Sequence, residues 1–563
     1  MRSQFNPLKV TLCLVFLIAT ICFFTGCKSN TDSAATLAVI NARIWTGDPD
    51  QPWAEAMAVK GEEILFVGTN QEVEKLTGEG SNVIDAKGKM VTPGFNDAHI
   101  HFIDGGFGLS SVQLRDAKTR QEFIDRIAAF AKTIPAGSWI LNGDWDHTNW
   151  GGELPKASWI DSITPNHPVF IQRLDGHMGL ANTAAMNLSK VNSSTKDILG
   201  GTITRDSKGI PDGIFKDNAM SVIYKHITEP SDDLKDRALK AAMDYVVERG
   251  VTSIQNMGTW GDLEVFRRAH KKKELKTRVY AAVPLSSWEK LVEEVERSGR
   301  GDSYLKIGGL KGFVDGSLGS HTAAFQKAFS DTPADSGFMV TTTDKLYTAI
   351  SAADKAGLQL LIHSIGDKAI RELLDIFERV EKENGKKDRR FRIEHFQHIA
   401  PADFPRIARM NLVASVQPYH AIDDGRWAEK IIGPERIKTT YAFKSLLDNK
   451  TILAFGSDWF VAPPTPLEGI YAAVTRRTID DQNPGGWVPE QKITVEQALR
   501  AYTSGAAYAS FDEDKKGVLK KNAFADFVVL DNDITTIDPE KIRDVKVLTT
   551  VVGGKVVYEQ PAK

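Results

Sequence analysis

Cysteine is nearly absent from this 563-residue chain: three occur, Cys13, Cys22 and Cys27, all within the first 27 positions. Beyond them no thiol remains for a disulfide, a thiolate metal site or a cysteine nucleophile. Stability must then come from apolar cores, and any metal must be held by nitrogen and oxygen ligands. An excess of one charge sign is also lacking. With 25% charged residues and a net charge of -3, nothing points to nucleic acid as a partner. Low-complexity tracts and internal repeats are missing, and no Gly-x-Ser-x-Gly elbow is evident, which argues against a covalent acyl-enzyme. The apolar run from Val10 to Phe24 is shorter than the ~20 residues of a membrane span.

That run has a basic start (Arg2, Lys9) and ends at Thr25-Gly26-Cys27, the layout of a secretory signal. Gly26-Cys27 resembles a bacterial lipobox, with Phe24 where leucine is usual. The resemblance implies a signal peptide over residues 1–27 ending at a lipidated Cys27, with residues 28–36 as a polar tether. An ordinary signal peptide and a retained anchor are the alternatives. Lys28-Ser29 lacks the aspartate associated with inner-membrane retention. The expected location is therefore the cell envelope, on the outer membrane facing the periplasm in a Gram-negative host.

Short strand-like runs with turn residues fill residues 37–91 and return at 515–560, which predicts a small β-sandwich built from both termini. Between them strands and helices alternate. Apolar runs of strand length occur at Val251–Ile254, Val279–Val283, Leu305–Val314, Leu358–Ile362, Phe391–Ile393, Leu412–Val416 and Thr451–Phe455. With the strand before His99 they make the set of eight strands of a (β/α)8 TIM barrel over residues 92–514. The stretch of about 103–230 is too long for one crossover and predicts an inserted subdomain over the strand ends.

The segment Val91-Thr92-Pro93-Gly94-Phe95-Asn96-Asp97-Ala98-His99-Ile100-His101 holds the most specific local signal. On an extended strand His99 and His101 point to one face, where two imidazoles can grip one metal ion. Alone, such a pair also fits a solvated loop. Other strands, however, end in polar residues as well: Lys311 before Asp315-Gly316-Ser317, His363 before Gly366-Asp367, Glu394-His395, and Gly456-Ser457-Asp458. Barrel chemistry collects at these ends, so the joint pattern favours a metal centre.

Pro93 to His101 resembles the first-strand motif of the amidohydrolase superfamily. Lys311-Gly312-Phe313-Val314-Asp315-Gly316-Ser317-Leu318-Gly319, His363-Ser364-Ile365-Gly366-Asp367 and Arg392-Ile393-Glu394-His395 resemble amidohydrolase family 3, a branch with N-substituted formamide deformylase-like enzymes. The resemblance implies that His99, His101 and Asp458 hold one divalent metal, usually zinc. It implies further that His363 and His395 hold a second, bridged by Lys311 as a carbamate formed from CO2. An apolar setting lowers the lysine amine pKa and favours that reaction. Lys306 is the rival, and a lysine snorkelling to the barrel rim is the plainer alternative.

The activity implied is hydrolysis of an amide or related C–N bond of a small molecule (N-acyl or N-formyl type) by a metal-bound hydroxide, with Asp458 as proton shuttle. An ester, lactone or phosphotriester hydrolase, or a non-catalytic ligand-binding lipoprotein, are the alternatives. His147, His177, His321 and His420 are candidate substrate contacts, with His321 standing where arginine is frequent. His398 is expected to be structural. The membrane is the expected partner through the N-terminal lipid, and a homodimer is a candidate assembly.

Overall fold

The computed structural model describes residues 35–561; the signal segment, Cys27 and residues 28–34 of the tether lie outside the described residues. At its centre eight parallel strands form one sheet in sequential order. These are β1 (Phe95–Ile100), β2 (Val251–Met257), β3 (Arg278–Pro284), β4 (Leu305–Phe313), β5 (Gln359–Ser364), β6 (Arg392–His395), β7 (Val413–Val416) and β8 (Ile452–Phe455). They are the eight runs marked by the apolar pattern, and nearly all their residues are buried, as parallel strands covered by helices require. The cylinder nearly closes where β8 meets β1. There the Asp458 amide donates to the His99 carbonyl at 2.7 Å and the Ser457 amide donates to Asp97 Oδ1 at 2.9 Å. Gly456 permits this approach, because a Cβ there would stand 2.5 Å from the His99 amide nitrogen.

The helices cover the barrel with amphipathic faces. Asp367–Asn384, after β5, buries Ala369, Ile370, Leu373, Leu374, Phe377 and Val380 at the three-and-four spacing of a one-sided helix. Phe377 stacks on Phe391, just before β6, with ring centres 4.2 Å apart. Among the described residues no helix is long and apolar enough to cross a membrane.

Between β1 and the helix Asp232–Val247 lies a separate five-stranded sheet. Its strands run in the order Gly201–Arg205, Pro211–Asp217, Met178–Ala181, Val169–Arg173, Ile140–Trp145, and two apolar clusters of its own support it. It rests on the loop after β4. Asp175 accepts from the Ser317 and Ser320 hydroxyls, and the Lys216 ammonium donates to the Ser320 carbonyl at 2.9 Å.

The two ends of the chain form two further sheets. One has four strands from the N-terminal part, in the order Glu63–Gly68, Ala56–Lys60, Leu37–Ile40, Asn82–Asp85. The other has six, joining Arg43–Trp45, Trp53–Ala54 and Met90–Pro93 to Phe527–Leu530, Val547–Val552 and Lys555–Glu559. Leu37, Val39, Met57 and Val59 of the first share an apolar cluster with Ile44, Val91, Phe527 and Val551 of the second. Met90–Pro93 runs through Gly94 straight into β1, so the terminal sheets and the first barrel strand are one continuous path.

Candidate metal centre

The polar strand ends converge as parallel strands in a barrel must. His99 comes from β1 and His101 from just beyond it, Lys311 from β4, His363 from β5, His395 from β6 and Asp458 from just beyond β8. The rings of His99 and His395 are 4.7 Å apart, and those of His395 and His363 4.5 Å apart. Asp458 and His395 both sit in the left-handed region, at φ 61° and 69°. For residues with a Cβ that conformation is costly, and it is held here by the loops that follow the strands.

Each imidazole is oriented from behind. His99 Nδ1 donates to Glu394 Oε2 at 2.6 Å, and Glu394 in turn accepts from Arg392 Nε at 2.8 Å, all three fully buried. His363 Nε2 donates to the Gly316 carbonyl at 3.0 Å, and His395 Nδ1 donates to Gln417 Oε1 at 2.9 Å. One ring nitrogen of each is thereby committed as a donor and the other carries a lone pair, the arrangement that metal-ligating histidines require. Burial holds His99 down at about 4 and keeps His363 and His395 well below the ordinary histidine range, so all three are neutral and ligand-competent at pH 7.

Asp458 faces this set as an anion. Burial works against its charge, but His99, His101 and His395 around it hold the carboxyl well below the usual carboxylate range. Its Oδ1 lies 3.4 Å from His99 Nε2 and 3.3 Å from His101 Nε2, while Oδ2 lies 3.7 Å from His395 Nδ1. Oδ1 is buried and makes no hydrogen bond among the described residues. With the His99 proton on Nδ1, the Nε2 lone pair lies 3.4 Å from this carboxylate oxygen and within reach of the Lys311 amine, a donor set that suits a cation. His99, His101 and Asp458 thus form one group able to hold an ion; His395, His420 and Asp458 form a second.

Lys311 Nζ reaches into the same space and donates to His99 Nε2 at 3.0 Å. Burial lowers its amine to about 8. Lys306 points to the opposite end of the barrel, where it donates to the Ser510 and Phe511 carbonyls and pairs with Asp512.

Of the four candidate substrate histidines, two line the small cavity over the ligands and two do not. His177 and His420 share its wall with Asp175, His363, His395, Trp427 and Asp458, around about 40 Å³ of free space. His147 instead packs against Trp145 and accepts from Arg173 Nε at 3.3 Å, within the inserted sheet. His321 pairs with Asp331 at 3.1 Å and lies against Phe329. His398 is buried, with Nδ1 2.9 Å from Thr440 Oγ1.

The partner of His177 is Asp217, which sequence reasoning missed. Its Oδ1 accepts from His177 Nδ1 at 2.6 Å, although the two are 40 positions apart. Asp217 closes the strand Pro211–Asp217 at φ 46°, ψ -124°, and its amide donates to the His177 carbonyl at 3.0 Å. Burial opposes a charged His177, but Asp217 outweighs it and raises the imidazole above its ordinary value. The roles of Glu394, Arg392 and Gln417 were equally unseen. Arg392 and Glu394 carried a local signal, as charged residues inside a buried strand.

The chain is similar to known proteins along nearly its whole length. The Amidohydrolase family matches residues 82–558. "Protein LONG AFTER FAR-RED 3" of Arabidopsis thaliana is 40% identical over 95% of this chain and 94% of its own length. "N-substituted formamide deformylase" of Arthrobacter pascens is 28% identical over 93% of this chain and 98% of its own. Among solved structures, an uncharacterized metal-dependent hydrolase from Pyrococcus furiosus is 29% identical, with a TM-score of 0.71 over 89% of this chain and 100% of that one.

Proposed function

Because the chain belongs to the amidohydrolase family and is a metal-dependent hydrolase of TIM-barrel fold, we propose that it cleaves an amide or related C–N bond of a small molecule. The observation that carries this reading is the pair of buried donor groups meeting at Asp458, opened to a cavity walled by His177. The deformylase relative, aligned along nearly its whole length, supports the choice of bond.

His99, His101 and Asp458 would hold one divalent ion, and His395 with His363 and Lys311 a second; zinc suits nitrogen and carboxylate donors. Lys311, with its amine brought down by burial, is the residue that CO2 would convert to a carbamate. Such ions supply a polarised carbonyl and a water acidic enough to ionise near pH 7. The chain supplies the rest. Glu394, Gln417 and the Gly316 carbonyl fix the ligand imidazoles. Asp458 is a carboxylate poised to take a proton from water and return it to the leaving nitrogen. His177, braced by Asp217, presents Nε2 to the cavity, where it contacts the substrate amide.

Lipid attachment at Cys27, outer-membrane placement and a homodimer belong to the same proposal and rest on the sequence alone. The deciding experiment is a hydrolysis panel of N-formyl and N-acetyl amines beside matched esters and a phosphotriester. Turnover of the amides, lost on chelation and regained with zinc, is the expected result. Turnover confined to the esters or the phosphotriester would refute the assignment of the bond.

A further inference from the structure

The short helix Pro418–Asp424 follows β7 and turns one face to the cavity over the ligands. His420, Asp423, Asp424 and, just past the helix, Trp427 line that cavity, at the three- and four-residue spacing that puts side chains on one side of a helical turn. His420 stands at the inner end, with a ring nitrogen within 4.8 Å of an Asp458 oxygen. Asp424 follows one turn later, about 6 Å further along the axis. Asp424 and Trp427 are half-buried, so the face runs from the ligands outward to solvent.

The charges along this wall do not cancel. Arg173 is shared by Asp146 and Asp175, and Arg426 by Asp423 and Asp146. Two guanidiniums serve three carboxylates, and Asp424 makes no ion pair among the described residues. Its side-chain partner is the Tyr441 hydroxyl, which donates to Oδ2 at 2.5 Å, while Oδ1 accepts no hydrogen bond among the described residues. Burial raises its carboxyl to about 8, and Asp423 beside it adds to the effect, as befits an acid whose charge lacks a counterion. A second group of the wall is also unpaired. His420 is 8% exposed, and its Nε2 is buried with no hydrogen-bond partner among the described residues. The ions as assigned above leave it free. A desolvated polar atom without a partner calls for one. The face therefore asks for an occupant with a polar group near the ligands and a positive charge one turn outward. An indole at the outer end favours the same charge.

We infer that the substrate is a cationic amide, whose amide group His420 hydrogen-bonds and whose ammonium, carried on the amine side, is bound by Asp424 beside Trp427. Asp424 is then the residue that selects the substrate by charge. This rests on the amide reading above, in which an N-formyl or N-acetyl group is too short to carry the charge itself.

The test is steady-state kinetics of zinc-loaded full-length protein on N-formyl derivatives of straight-chain diamines of graded length. Each is paired with an isostere that has a methyl group in place of the ammonium, and with a carboxylate-ended control. At the best length, kcat/KM for the ammonium amide should exceed that of its isostere by about 10–100-fold, the span of a hydrogen bond to a charged group, mainly through KM. In Asp424→Asn, which keeps an acceptor for the Tyr441 hydroxyl, that ratio should fall towards one, with circular dichroism melting as the check on folding. Trp427→Leu is the second variant and should lower the ratio by about 2–5-fold. Equal turnover of ammonium amide and isostere by wild type, or faster turnover of the carboxylate-ended control, would overturn the inference and leave an amide hydrolase standing. The wild-type preference kept in full by a folded Asp424→Asn would do the same. No turnover of any of these amides would overturn the proposed function and this inference with it.

Discussion

Replacing Glu394 by glutamine removes one charge from the deepest part of the site without changing its volume. The carboxylate touches His99 through Oε2, at 2.6 Å, and Arg392 through Oε1, at 2.8 Å. Burial alone would raise its pKa, but Arg392, His99 and Lys311 bring it down to about 2 from 4.5. At about 1.4 kcal/mol per tenfold, that displacement is worth about 3 kcal/mol of stability. In Glu394→Gln the guanidinium of Arg392 keeps Gln255, the Ala98 carbonyl and Ser415, yet loses its one anionic partner among the described residues. Stranding one partner of a buried pair costs about 3–5 kcal/mol, which agrees in size. Metal affinity should fall about 10–100-fold, because His99 no longer donates to an anion.

The double variant Arg392→Met/Glu394→Gln separates the two effects. With no stranded cation, most of the stability returns, while metal affinity stays weak. Denaturant unfolding measures the first and competition against a chromophoric chelator the second. Acid should mimic the single variant: the depressed carboxyl contributes fully above pH 4.5 and loses its contribution as pH falls towards about 2. A stability loss below about 1 kcal/mol in Glu394→Gln would refute the argument from the buried pair. Wild-type metal affinity in the same variant would refute the orienting role of Glu394.

Two further perturbations test other parts of the molecule. Burial holds the His398 imidazole down at about 3. The unfolded chain therefore takes up this proton first, and stability is full above pH 6.5 and declines below it, by about 2 kcal/mol at pH 5. His398→Leu, which leaves the Thr440 hydroxyl on the Arg436 carbonyl, should flatten that part of the pH–stability curve; an unchanged slope would show that another group carries it. Arg173 is buried between Asp146, at 3.1 Å, and Asp175, at 2.8 Å, in the sheet that bears His177. Arg173→Met takes the paired arginine from Asp175, while Asp146 keeps Arg426 at 3.4 Å, and should cost about 3–5 kcal/mol, with KM rising as the seat of His177 loosens; melting and kinetics indistinguishable from wild type would contradict it.

How far the site could be read beforehand depended on how local each signal is. His99 lies on β1 with His101 just past its end, Lys311 sits near the end of β4, and His363, His395 and Asp458 stand at or just beyond the ends of β5, β6 and β8. Such placements follow from the strand period and the rule that barrel chemistry sits at strand ends. The candidates His147 and His321 carried no such local constraint, and each is spoken for by a neighbour, Arg173 and Asp331.

The sequence by itself determined the eight strands, the interruption after β1 and the polar residues at the ends of five of them, because burial and period are written along the chain. Only the tertiary structure decided the pairings across it: Asp217 with His177, Glu394 with His99, Gln417 with His395, and His420 beside Asp458. Hydrogen-bond partners at a barrel mouth are brought together by closure of the sheet and docking of the insert. Those are long-range packing events, and no window of neighbouring residues encodes them.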